Sequence, residues 1–129
     1  MNNVEKFSFH DAYINGINII TIKDHFEKVN IFLESNEFMN CFGTSKVSLV
    51  FEDCYKADLQ LQMWISGKDT IRELRLVDDS SSQEIKKIIE LKEKGFIKKD
   101  DIFIHCEIIL NTSGSKIVIL AKGIKVKTY

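Results

Sequence analysis

His10 stands next to Asp11, and an imidazole beside a carboxylate can serve as an oriented general base or as a metal ligand. Adjacent side chains on a strand point to opposite faces, so this pair can cooperate only if the chain turns at Asp11. Otherwise Asp11 accepts local backbone hydrogen bonds in a turn or bulge. Cys54 lies in the polar stretch Glu52-Asp53-Cys54-Tyr55, which reads as a turn where a thiol is accessible. With a histidine from elsewhere in the fold it would meet the minimum for nucleophilic catalysis. Nothing in the sequence lowers its pKa, however, and Glu52 and Asp53 would raise it, which favours a buried structural cysteine. His10, Asp11 and Cys54 are therefore the catalytic candidates, with a structural role the stronger expectation for each.

Other residues that could carry chemistry are explained more simply. Cys106 shares the apolar parity of its strand while His105 projects to the opposite face, so these neighbours cannot share a metal. His25 falls in a polar connector. Asp78-Asp79, followed by three serines, lacks the alternating oxygen ligands and internal glycine of a calcium loop and suits the start of a helix. Walker A, GxGxxG, HExxH and GxSxG patterns do not occur. No cofactor and no metal are expected. Trp64 and Tyr55 are the binding candidates. Trp64 stands on the polar parity beside Gln60 and Gln62, where an indole is either covered by another element or anchors a partner.

The elements that must position these residues follow from periodicity. Ala57, Leu59, Leu61, Met63 and Ile65 alternate with Asp58, Gln60 and Gln62, which is the signature of a strand with one wet face. Phe7 and Phe9 lead into an Ile-rich strand ending near Lys23, with a parity change between Ile19 and Ile20 that suggests a bulge. A polar connector then leads to Val29, Ile31 and Leu33, completing a hairpin. Residues 35–44 have no usable period and read as a loop whose Phe38, Met39 and Phe42 fold back as a lid over the core, with Cys41 inside it. Val47, Leu49 and Phe51 form a central strand, residues 52–56 a turn into Ala57–Ile65, Ser66–Asp69 a second turn, and Ile71–Val77 a further strand, making a meander.

The period then changes to that of a helix. Ser81 and Glu84 have capping-box spacing, Ile85, Ile88 and Ile89 form an apolar stripe, and Gly95 suits a left-handed stop with Phe96 meeting Leu91. The spacing predicts an amphipathic helix from Ser81 to Lys94 laid on the sheet. Ile102 to Leu110 and Ile117 to Val126 then form a hairpin, with a bulge at Gly123 and with Lys122, Lys125 and Lys127 protecting an exposed edge. The expected fold class is α+β: a mainly antiparallel sheet of about seven strands, barrel-like or two-layer, with one helix before the carboxy-terminal hairpin.

The 129 residues, with 44% hydrophobic and 29% charged, suit a single domain spanning residues 1–129. Eighteen Lys+Arg against 19 Asp+Glu give no basic surplus for a phosphate backbone, so no nucleic acid is expected as a partner. No apolar run approaches the ~18 residues of a membrane span, and the first residues lack the apolar stretch of a signal peptide. Three separated cysteines without a CxxC pair suit reduced thiols in the cytoplasm. Phe9-His10-Asp11-Ala12-Tyr13-Ile14, followed by Val47 to Phe51 and Asp53-Cys54-Tyr55, resembles a group of small bacterial proteins that open with an FHD-type or LHD-type segment. Some of these are similar to immunity proteins encoded beside toxins. The resemblance implies a small bacterial sheet protein and carries over no catalytic residue. The expected function is a non-enzymatic cytoplasmic interaction domain, toxin-neutralising in the immunity case, that binds a protein partner or a second copy of itself. A small Cys/His-dependent hydrolase and a ligand-binding barrel are the alternatives.

Overall fold

The computed structural model describes residues 8–22, 25–61, 69–112 and 114–129, the side chains of Ile22, His25 and Phe26 excepted. Trp64, the end of the stretch Ala57–Ile65, residues 66–68 of the turn after it, Phe7, and the side chain of His25 lie outside the described residues.

Alternating apolar residues build β1 (Tyr13–Ile22), β2 (His25–Glu34), β3 (Lys46–Gln60), β4 (Ile71–Val77), β5 (Ile104–Leu110) and β6 (Lys116–Thr128). The helices are α1 (Phe38–Phe42) and α2 (Gln83–Glu93). All strand pairs are antiparallel, in the order β1-β2-β3-β6-β5-β4. The fold is thus a mainly antiparallel α+β sheet, open and, among the described residues, six-stranded. Its two edge strands touch at one end: Tyr13 bridges Thr70, Asp11 N–H donates to the Ile71 carbonyl at 2.7 Å, and Ile71 N–H donates to that of Ala12 at 3.0 Å. No described helix is long and apolar enough to cross a membrane.

Among the described residues one fewer strand than expected forms, because residues 52–56 are not a turn. They run on as part of the 15-residue β3, paired with β6 from Val47↔Thr128 to Gln60↔Lys116. Between Cys54 and Lys56, β3 uses two residues where β6 uses one, so Tyr55 is the extra residue of a bulge. Asp53, just before it, takes a left-handed φ of 49°, a conformation Asp tolerates better than most side chains. The bulge lets a polar segment that looks like a turn remain in the ladder. It lies on β3 and not at Gly123, which pairs in register with Glu52. β6 is likewise no edge: it lies between β3 and β5, and Lys122, Lys125 and Lys127 project to solvent from an interior strand.

One face of the sheet carries the main core. Val29, Ile31 and Leu33 of β2 meet Leu49 and Phe51 of β3, Ile117 and Ile119 of β6, and Cys106 and Ile108 of β5. Phe9, Ala12 and Phe38 close this core. Phe38 belongs to α1, a short helix where a loop was expected; it stops at Gly43, whose φ is 70°. The folding-back is as expected for Phe38, whose ring meets Phe9 and Phe42 edge-on at 5.9 and 6.0 Å, but Met39 stays exposed. At the far end of the chain the Tyr129 hydroxyl donates to the Leu33 carbonyl and its ring packs edge-on against Phe32.

The other face carries α2. Ile85 and Ile88 pack on Phe103 and Leu120 in a second, smaller cluster. The cap is Ser82, one residue later than Ser81: the Ser82 hydroxyl oxygen accepts from Ile85 N–H at 3.3 Å. This shift places Glu84 too early to close a capping box, and it pairs with Lys56 of β3 instead, at 3.1 Å. Ser81 is held by Asp79, whose carboxyl is kept below its usual pKa by hydrogen bonds from the Ser81 hydroxyl and amide. Ile89 remains exposed, so the stripe that docks is Ile85 and Ile88. Ile88 is only 2% exposed, and replacing it with Asp would bury an unpaired carboxylate and remove apolar contact. Ile88→Asp is expected to lower the unfolding free energy by at least ~3 kcal/mol, measured by urea titration; a midpoint equal to wild type would mean that α2 does not dock through this residue.

Candidate functional site

The bulge and the end of α2 together shape a groove of about 540 Å³. The bulge turns Tyr55 outward, where its ring meets Phe103 edge-on at 5.9 Å and stays 49% exposed. α2 stops at Gly95, left-handed at φ 80°, as its sequence position predicts, with Gly95 N–H donating to the Lys92 carbonyl and Phe96 N–H to that of Leu91. The expected packing of Phe96 onto the helix does not follow, since its ring is 76% exposed and lines the groove with Ile97 and Phe103. Charges surround these apolar groups. Lys122 pairs with Asp101 at 3.1 Å and stands 5.9 Å from the Phe103 ring centroid, while Asp53, Glu27 and Lys98 complete the rim. Tyr55, one of the binding candidates, is therefore exposed in the groove beside Phe96, with the buried ring of Phe103 beneath it.

The catalytic candidates fall elsewhere. The chain does turn at Asp11, which has a left-handed φ of 63°, and this brings His10 Nε2 to 3.4 Å from Asp11 Oδ2. His10 Nδ1 donates to the Arg72 carbonyl at 2.9 Å, and both side chains are mostly exposed. The pair fastens the segment before β1 onto β4. Cys54 sits inside β3 and not in a turn; its sulfur lies 3.4 Å from the Phe51 carbonyl, and burial pushes its thiol pKa up to about 11. A thiol so rarely ionised at neutral pH is a poor nucleophile. Cys106 is fully enclosed and its pKa is also raised, chiefly by burial, and Cys41 is exposed on α1. The hydrogen bonds and ion pairs of the two histidines with described side chains go to Arg72, Asp11, Ser82 and Glu107, and not to sulfur. Among the described residues, no group of three or more His, Cys, Asp or Glu is placed to hold a metal.

A second arrangement was not singled out from the sequence. Lys56, Asp58, Arg75, Glu84, Glu107 and Lys116 line a cleft of about 420 Å³ at the amino-terminal end of α2. At its wall the Ser82 hydroxyl and His105 Nδ1 share a hydrogen bond of 2.5 Å, and His105 Nε2 lies 4.0 Å from Glu107 Oε2. The carboxylate favours a proton on Nε2, leaving the Nδ1 lone pair to accept from Ser82. Nε2 is buried and has no hydrogen-bond partner among the described residues. The one legible signal is the shared parity of His105 and Glu107 on β5; the contact with Ser82 spans 23 residues and depends on α2 docking. Comparison with known proteins returns no matching family and no matching curated protein.

Burial lowers the pKa of His105, against the opposing pull of Glu107 and Glu84. The folded state thus binds a proton at His105 less readily than the unfolded chain, so this group's stabilisation is complete above the unfolded value of ~6.5 and is lost as pH falls through the folded value. The stability advantage of wild type over His105→Gln should therefore narrow as pH drops from 7 to 5, measured by urea unfolding at each pH. A constant or widening advantage would contradict a neutral His105.

Proposed function

We propose that this chain is a cytoplasmic protein-interaction domain that grips a partner protein through the groove formed by Tyr55, Phe96 and Phe103. The observation that carries this reading is the exposure of Phe96 at the lip of an aromatic-lined groove with charges of both signs around it. Burying such a ring on association releases apolar surface from water, and aromatic anchors inside a polar rim are where binding energy concentrates. The near balance of 18 basic and 19 acidic side chains favours a protein over a polyanion as partner. Free Cys41, Cys54 and Cys106 fit a reducing compartment. The contact between the edge strands β1 and β4 supports reading the sheet as barrel-like, a frame stiff enough to present the groove with little reorganisation. The resemblance of Phe9–Ile14, Val47–Phe51 and Asp53–Tyr55 to small bacterial proteins with an FHD-type or LHD-type segment, some of them similar to immunity proteins, makes a toxin the partner class in this reading.

A photo-crosslinking amino acid at position 96 should yield one discrete adduct in cells, and the same group at Lys86, on the exposed side of α2, should not. An adduct of twice the chain mass would identify a second copy as the occupant, and equal labelling at both positions would sink the groove. With the captured partner purified, Phe96→Asp is expected to weaken binding at least ~10-fold by calorimetry and to leave stability within about 0.5 kcal/mol of wild type, as for other exposed positions.

A further inference from the structure

We propose that the polar cleft at the start of α2 is an esterase-type site in which Ser82 is the nucleophile, His105 the general base and Glu107 the carboxylate whose charge supports the imidazolium. This site is separate from the aromatic groove and does not depend on it.

Acyl transfer requires a nucleophile bonded to a base, a group that steadies the base, a space beside the nucleophile, and donors for the developing oxyanion. Ser82 and His105 Nδ1 share their hydrogen bond without any rearrangement. Glu107 faces the other ring nitrogen at 4.0 Å, on the same side of β5, so its charge stabilises the imidazolium that forms when the serine proton moves. Docking of α2 also contributes. Ser82 is its N-cap; Ile85 N–H is engaged by the Ser82 hydroxyl oxygen and Lys86 N–H by the Ser82 carbonyl. Gln83 and Glu84 line the cleft, and their amide N–H groups, in the first helical turn, have no partner within the helix. Amides of this kind can receive an oxyanion formed next to Ser82.

The reaction proceeds in two halves. The Ser82 oxygen forms a bond to the acyl carbon of an ester while its proton passes to His105 Nδ1; the ester C–O bond then breaks and the departing alcohol takes that proton. Water next attacks the acyl-Ser82 carbon and gives a proton to His105, which returns it to the Ser82 oxygen as the carboxylic acid leaves. The net change is ester plus water to acid plus alcohol. Substrate class follows from the walls: a cleft of about 420 Å³ lined by Lys56, Arg75 and Lys116 with Asp58 and Glu84, and by Val77 and Val118, fits a short, polar acyl ester better than a long aliphatic one.

The test is modification of the intact wild-type chain by a fluorophosphonate probe, with the adduct located by peptide mass spectrometry and p-nitrophenyl acetate used to follow turnover. The expected result is a single adduct on Ser82, absent from Ser82→Ala shown by circular dichroism to keep its helix. His105→Gln should slow labelling by ~100-fold. Glu107→Gln should move the acidic limb of the labelling-rate profile to lower pH, because loss of the carboxylate makes the imidazole less basic; a residue with a merely structural role would not shift this limb. If folded wild type takes up no probe between pH 7 and 9, or takes it up at another residue, the proposal is overturned and Ser82 is a helix cap only.

Discussion

The pairing of β3 with β6 is the constraint on which the rest of the molecule depends. It runs the length of both strands and joins the hairpin side of the sheet, β1 to β3, to the β4–β5 side. Because the side-chain period of a strand is two, a slip of β3 by one residue along this ladder would turn Leu49 and Phe51 out of the core together. The bulge at Tyr55 keeps the apolar residues of both halves of β3 on the core side despite the polar segment between them. It also places two neighbouring residues on separate features of the other face: Tyr55 enters the aromatic groove, and Lys56 reaches Glu84 at the start of α2. One extra residue in a strand thus contributes to both clefts.

Charges reinforce this arrangement without dominating it. Lys56–Glu84 and Lys122–Asp101 tie the two ends of the α2 segment to β3 and β6, and both pairs are partly exposed. Such pairs contribute about 0–1 kcal/mol each. The position of α2 rests more on Ile85, Ile88, Phe103 and Leu120, and the pairs set its orientation. Lys125 holds Glu52 across β6 and β3 and lowers the carboxyl's pKa mainly through their hydrogen bond, which explains a lysine projecting from an interior strand.

Much of the fold was legible because its strongest signals are local. The apolar stripe and Gly95 fix α2, and the strict alternation of Ile104, Cys106, Ile108 and Leu110 fixes β5. What could not be read was decided by partners distant in sequence. Residues 52–56 look like a turn because their polarity is that of one, and only the presence of β6 alongside makes them a strand. The choice of Ser82 over Ser81 as cap turns on the docking of α2 beside His105 and Lys56, since both serines have acceptable local chemistry. The lysines of β6 suggested an edge, but side-chain charge reports which face is wet and not which strand lies next door. For the same reason parity alone marks His105 only as an outward residue, and its contact with Ser82 comes from α2 lying above it.

The sheet order has a consequence for the chain as it leaves the ribosome. β1, β2 and β3 are neighbours both in sequence and in space, so a three-stranded unit can assemble early. One edge of its longest strand then has no neighbour until β6 has been made, more than fifty residues after the end of β3. During that interval β3 offers a long ladder of free amide and carbonyl groups beside Leu49 and Phe51, a template that any other extended chain could join. Closure across such a separation is slow compared with forming a hairpin. Crowded synthesis would therefore be expected to favour aggregates seeded by this half-built sheet, and slower translation or holdase chaperones to raise the soluble yield without any change in the stability of the finished protein.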